Sequence, residues 1–393
     1  MAFRCKTIRT CLAAFISLLL LSATMMATTY LVSLTSEDKS IQRAIDMAGD
    51  GDRVIVGSGT YLERLNVTKK LIIRGVDTGG GIPIVNANEK GTAITLSADG
   101  TWLEGFFIKD SGSYPEDAGI KVFSNNNLIR RNILNNNSYG IYLKNSAGNR
   151  IEYNTAIKND VGIALQSSRN NILKCNTAKN NSFAGFFSGN SRDDKVINNT
   201  IENNKWVGFL FNATENETIQ GNLAIRNANA GIWILYSRSN RIEKNNASNN
   251  PIYGILLDAS FNNTLTENTA YKNLDGISMH ISCSNIIAKN NIINNMFGIY
   301  LDESSKNLIY FNNFIENILS VYSFSSTNQW NSNKAFSYFY KDLMGLERMG
   351  NFWSDYEGKA AYESGIGSTA YVNEFIRDEK PLLSRTEYYQ ILE

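Results

Sequence analysis

Between Gly119 and Asn317 the chain writes one pattern nine times over. Glycine stands at 119, 140, 162, 185, 208, 231, 254, 276 and 298, spaced 21 to 23 residues apart, and each is followed by Ile or Phe. Nine positions after each glycine from Gly140 onward comes a polar residue, which is Asn149, Asn171, Asp194, Glu217, Asn240, Asn263, Asn285 or Asn307. Five residues later there is always an asparagine (Asn154 through Asn312), and five later still another (Asn159 through Asn317). A fixed period of this length means a solenoid, in which a repeat buries its apolar face only against its neighbours.

The period is too short for paired helices, and the residue pattern is not helical. Gly140-Ile141-Tyr142-Leu143 and Gly254-Ile255-Leu256-Leu257 alternate with period two, the sign of a half-buried strand. A second inward column runs through Ile151, Leu173, Val196 and Ile219, and a third through Ala156, Ala178, Ile201 and Ala224. Three short strands per turn, parted by Asn-bearing bends, predict an all-β fold, a right-handed single-stranded parallel β-helix of about 12 coils. Leucine-rich repeats are excluded, since there is no Leu-x-x-Leu-x-Leu consensus and no inter-strand segment long enough for a helix. Stacked coils set equivalent residues about 4.8 Å apart, so an Asn column can hydrogen-bond along the axis, and Asn also tolerates the left-handed backbone of a bend. These columns are read as structural, not catalytic.

The flanks divide the chain into three parts. Residues 1–35 carry Arg4, Lys6 and Arg9 ahead of a charge-free stretch from Thr10 to Ser36, the pattern of an export signal or a retained N-terminal membrane anchor. Residues 36–327 form the β-helix, opened by an amphipathic helix in Ser36 to Gly49 that caps the first coil. Irregular coils follow, with protruding loops at Gly79 to Gly81 and Ser111 to Asp117, and the regular array fills 119–324. Residues 328–393 lose the Asn period, are rich in aromatics (Trp330, Tyr338, Phe352, Trp353, Tyr371) and form a C-terminal cap.

Charge narrows the partners. Without Arg4, Lys6 and Arg9 the chain holds 35 basic residues against 37 acidic ones, a net −2 that gives no electrostatic footing for nucleic acid. Cys175 and Cys283 lie five coils apart, roughly 24 Å by the strand spacing, so they are expected as separate thiols. Eight Asn-x-Ser/Thr sequons occur, of which Asn212 is favoured for modification because its column faces outward.

The Asn-rich coils resemble the NosD-like β-helix proteins, exported in large sets by methanogenic archaea. So do the opening Ser40-Ile41-Gln42-Arg43-Ala44-Ile45 with Gly59-Thr60-Tyr61, and the closing Gly350-Asn351-Phe352-Trp353-Ser354-Asp355-Tyr356. The resemblance covers nearly the whole chain after the leader, and its repeat is shared with carbohydrate-binding and sugar-hydrolase β-helices. It implies a surface location and, through NosD itself, copper delivery to nitrous oxide reductase. Copper sites need clustered His, Cys and Met, whereas this chain has one His, two separated cysteines, and Met279 beside His280 but directed oppositely. Where such proteins carry an acidic loop after the aromatic box, this one reads Gly358 to Tyr371 with few acids, which weakens any calcium site there.

If residues one and three after each glycine point inward, those two and four after it form outward stripes. The first stripe holds Tyr142, Phe187, Trp233 and Tyr300, aromatic platforms suited to sugar rings. The second sets Asp258, His280 and Asp302 on three successive coils, where an imidazole between carboxylates can shuttle protons or bind a metal. The leading expectation is a non-enzymatic surface protein that binds polysaccharide or a cell-envelope partner. The alternatives are a polysaccharide lyase, hydrolase or epimerase using Asp258, His280 and Asp302, or a copper-binding accessory protein.

Overall fold

Each turn of the chain lays down three strands, and each strand pairs in parallel with its counterpart one turn on, as Tyr139–Lys144 does with Val161–Gln166. The computed structural model describes residues 27–35, 39–359 and 363–392, so residues 1–26 of the segment read as leader lie outside the described residues. The strand sets stack into sheets of 13, 12 and 13 strands, giving a right-handed parallel β-helix of about 13 turns. The extra turn comes from the N-terminus. Thr29–Val32, inside the segment read as leader, pairs in register with Arg53–Val56 and forms the first rung.

The repeat glycine explains the shape of the long strands. Tyr139 pairs with Val161 and Ile141 with Ile163, but the glycines between them have no ladder partner, so both strands bulge in step there without the extra residue of a β-bulge. No side chain fits there: a Cβ on Gly140 would lie 2.4 Å from the Gly162 carbonyl oxygen, and one on Gly254 2.5 Å from that of Gly276. The bulge also shifts the alternation by one. Ile141 and Leu143 are fully buried in the core, as predicted, while the residue before the glycine joins those two and four after it on the outward face.

All three polar columns stack. In the second, Asn245 Oδ1 accepts from both the backbone N–H and the Nδ2 of Asn222, each at 2.9 Å. Its own Nδ2 donates to the Ile219 carbonyl at 2.8 Å and to Asn268 Oδ1 at 2.9 Å. The rungs are buried except the terminal Asn317 and Asn328, which are half-buried, and nearly every rung pairs a bend N–H that no strand could reach. The left-handed conformation falls elsewhere than expected. The asparagines of the second and third columns are not in it, but the residues just before them are, for example Tyr153, Lys244, Glu267, Arg226 and Lys272, all with φ between 53° and 57°. The asparagine is needed for its side chain, and the ladder it builds holds the preceding residue in left-handed backbone whatever that residue is.

A further column went unread in the sequence. Ser146, Ser168, Ser191, Thr214, Ser237, Ser260, Ser282 and Ser304 precede the first Asn column by three, and most of their backbone N–H groups donate to the next hydroxyl, as Ser237 does to Ser260 at 3.0 Å. The cysteines are free, Cys175 half-buried and Cys283 exposed.

Both ends are closed by side chains with the right chemistry. The capping helix spans Ile41–Met47, with Ile41, Ala44 and Ile45 buried. The Glu63 carboxylate accepts from the Ile41 and Gln42 N–H groups at 2.9 Å each, opposite the positive end of the helix. Lys69 Nζ donates to the Asp46 and Ala48 carbonyls at the other end, 2.7 Å each. No glycine in left-handed backbone ends this helix: Ala48 follows it in extended conformation. At the C-terminus, Phe352–Trp353 pairs with the strand Asn313–Ile315 and so extends the solenoid instead of only lying over it. Asn351 is the last rung of the second ladder, and the Asp378 carboxylate ends it by accepting from Asn351 N–H at 2.7 Å and Trp353 Nε1 at 3.0 Å. The Phe314, Trp353 and Tyr371 rings stack face to face at 4.2 and 4.3 Å and seal the core.

Candidate functional site

Because the bulge turns the residue before each glycine outward, Tyr139, Tyr253 and Phe297 join the predicted stripe on the outward face of the long-strand sheet, and Phe183 and Trp206 reach that face from two residues before their glycines. Tyr139 stacks on Tyr142 at 4.7 Å, Phe183 lies tilted against Trp206 at 4.5 Å, and Trp206 meets Trp233 edge-on at 5.5 Å. Further up, Tyr300 stacks on Tyr322 at 5.0 Å, and the tail reaches the face there through Phe375, 5.0 Å from Tyr322.

The four sequence-predicted ring platforms are therefore not equal. Phe187, Trp233 and Tyr300 are half-buried and present part of their surface to solvent, whereas Tyr142 is only 5% exposed. Burial, with the Glu116 charge adding to it, pushes the Tyr142 hydroxyl up to about 12. Tyr142 is a packing residue at the basic end of the face, where Glu116 pairs with Lys121 and Lys144. Asn212 lies half-buried on this face, while the sequons at Asn180, Asn198 and Asn262 occupy exposed left-handed bends and are the more accessible acceptors.

At the opposite end the second stripe assembles as predicted. Asp258 pairs across the sheet with His280, and His280 with Asp302. The imidazole, however, turns along its own strand, and its Nε2 lies 3.0 Å from Ser278 Oγ. The Ser278 hydroxyl also lies beside the carboxyl of Asp275, the residue before the repeat glycine Gly276. Burial pushes Asp275 up to about 6, against the Ser278 hydrogen bond and the His280 charge, which lower it. Tyr253 meets the imidazole edge-on at 6.1 Å and Tyr300 lies tilted against it at 5.8 Å. The site is thus an Asp275–Ser278–His280 relay flanked by Asp258, Asp302, Tyr253 and Tyr300. Asp275 and Ser278 were missed, although one signal was present: Asp275 is the only charged residue directly before a repeat glycine.

Such an arrangement can hold a proton near neutrality and present carboxylates and ring edges to a polar ligand. The strands Tyr253–Asp258, Asp275–His280 and Phe297–Asp302 carry three aspartates and one histidine, and no Lys or Arg.

The family model described as periplasmic copper-binding protein (NosD) matches residues 48–235 and 206–358. The chain belongs to the NosD family. A cell surface glycoprotein of Methanothermus fervidus is 38% identical over 94 residues, which is 22% of this NosD-family chain and 15% of the glycoprotein. Among solved structures, the catalytic domain of a GH87 α-1,3-glucanase matches with a TM-score of 0.54 at 12% identity, covering 77% of this chain and 68% of that one. The A-module of the Azotobacter vinelandii mannuronan C-5 epimerase AlgE6 matches with a TM-score of 0.50 at 14% identity, covering 74% and 93%. At such identities these structures share the fold with this NosD-family protein.

The copper of the family description does not fit the residues here. Among the described residues no three His, Cys, Asp or Glu side chains are grouped to hold a metal ion. Met279 is fully buried in the core, on the opposite side of the strand from His280. His280 already bonds Ser278, which leaves a lone imidazole without soft ligands.

Proposed function

We propose that this protein is an exported, non-catalytic NosD-family β-helix that binds polysaccharide or a glycan of the cell envelope along the outward face of its long-strand sheet. The observation that carries the reading is the run of half-buried rings from Phe187 through Trp206, Trp233, Tyr253 and Tyr300 to Tyr322, interrupted only on the Gly276 coil, where the His280 imidazole lies between Tyr253 and Tyr300. Sugars bury their apolar C–H faces on such rings while their hydroxyls reach flanking polar groups, here Asn212, Asp258, His280 and Asp302. The basic and then apolar run at the N-terminus, read as an export signal or anchor, and the similarity to a cell surface glycoprotein support the compartment. Electrostatics restricts the ligand: three aspartates on strands that carry no Lys or Arg disfavour a polyuronate at the His280 end, so neutral or amine-bearing glycans are favoured. A glycan array with the purified protein tests this. Binding to neutral or amino glycans, weakened by Trp233→Ala and Tyr300→Ala, is expected, and no binding to any glycan or envelope fraction would reject it.

The Asp275–Ser278–His280 relay favours a second reading, a polysaccharide-cleaving or epimerising enzyme with His280 exchanging the proton and Asp258 or Asp302 beside it. Product release from polysaccharide that is abolished in His280→Ala would establish that reading in place of the first.

A further inference from the structure

The first polar column breaks its own rule twice, on neighbouring coils. Asp194 and Glu217 stand where eight other rungs, Asn127 through Asn328, are asparagine. An asparagine rung does two jobs there. Its Oδ1 accepts from the preceding coil, and its Nδ2 donates to a backbone carbonyl, as Asn171 does to Ser146 at 3.3 Å and Asn285 to Ser260 at 3.1 Å. Asp194 does the first job: its Oδ1 accepts from the Asn171 N–H at 2.6 Å and from Asn171 Nδ2 at 3.0 Å. The second job needs a donor, and a carboxylate has none. In the repeat register the carbonyls that lack this second donor are those of Ser168 and Ser191, which accept only the backbone N–H groups of Arg192 and Glu215, at 3.1 and 3.2 Å.

The consequence is visible as unpaired oxygen. Asp194 Oδ2 and both carboxyl oxygens of Glu217 are buried and meet no partner at hydrogen-bond geometry, although both residues are only 1% exposed. The charged groups around them offer no relief. Asp193 is adjacent and acidic, and it accepts from Asn216 Nδ2. Arg192 lies 3.8 Å from Asp193, Arg238 pairs with Glu215 at 3.0 Å, and Arg169 and Lys195 are exposed on the bends. The inward neighbours Val196, Phe209, Phe211 and Ile219 are apolar and buried.

We infer that Asp194 and Glu217 bind protons as a neutral carboxyl pair that stands in for two ladder rungs, so that the middle coils are held firmly only while the pair stays protonated. A protonated carboxyl supplies the O–H donor that the missing Nδ2 would have given, and it removes two like charges stacked one strand spacing apart. Burial pushes Asp194 up to about 7 and Glu217 well above the usual carboxylate range, with the neighbouring carboxylates adding to it. The sign follows from linkage. Carboxyls raised in the folded state contribute stability that is whole below the unfolded value near about pH 4 and is lost as the pH climbs through the folded value near about 7. The device makes the protein's centre weaken under mildly alkaline conditions while both ends keep complete ladders.

Thermal unfolding of the full chain between about pH 5 and about pH 9 tests this, with Asp194→Asn, Glu217→Gln and the double variant beside the wild type. The wild-type midpoint is expected to fall by several degrees over that range, with the double variant losing most of the dependence and standing above the wild type at the alkaline end. Equal pH dependence in both proteins would overturn the inference. Should the double variant not fold, infrared spectroscopy of the wild type decides. A protonated-carboxyl C=O band at neutral pH that shrinks in either single variant supports the pair, and its absence refutes it.

Discussion

Two surfaces of this solenoid use the same period for opposite ends. At the bends, one residue type recurs at each of three positions, and its side chain is consumed by the rungs above and below. On the outward face of the long-strand sheet the same spacing carries Tyr, Ala, Phe, Leu, Trp, Leu, Ser and Tyr in turn. Bends close in the same way at nearly every coil, because a buried N–H without a partner costs about 1–3 kcal/mol wherever it falls. An outward side chain meets no such condition, so that column is free to vary, and chemistry collects there. Repetition marks what holds the fold, and departure from repetition marks what the molecule does or how it is tuned.

The largest effect that bears on this contrast is expected at a ladder rung. Asn245→Ala strips partners from Asn222, Asn268 and the Ile219 carbonyl, and a loss of about 4 kcal/mol in denaturant unfolding is expected. A loss under about 1 kcal/mol would mean that strand pairing alone holds the bends. Next comes Gly254→Ala, whose Cβ would meet backbone at 2.5 Å, with an expected cost of about 1–3 kcal/mol by the same measurement. On the face the pattern should invert. Tyr300→Ala is expected to leave the unfolding midpoint nearly in place while weakening glycan affinity about tenfold by calorimetry, or about 1.4 kcal/mol. A large stability loss with unchanged binding would reassign that ring to packing. Smallest of all is Ile281→Gly. This exposed, β-branched residue sits at φ 48°, and relieving it should raise stability by about 0.5–1 kcal/mol in the same denaturant assay.

The fold was legible because period, alternation and glycine placement are local properties that stacking copies from coil to coil. The His280 row was legible for the same reason, since Asp258, His280 and Asp302 lie at one repeat position. The partners of His280 were not. Asp275 joins it only because the glycine bulge brings the residue before Gly276 onto the outward face, which simple alternation counted from the glycine cannot show, and Ser278, outward by that alternation, gives no sign in the spacing that its hydroxyl meets the imidazole. The same bulge buried Tyr142, which the spacing alone leaves exposed.

By itself the sequence determined the number and order of the columns, the inward strands and the polar bends, because each is a matter of spacing along one axis. Only the tertiary structure decided which outward rings are covered, where His280 turns, that Thr29–Val32 and Phe352–Trp353 are rungs, and that two carboxyls are entombed in the asparagine column. Those outcomes depend on side chains meeting across coils and on the closing of the ends. Contacts of that kind have no fixed separation in the chain for a period to reveal.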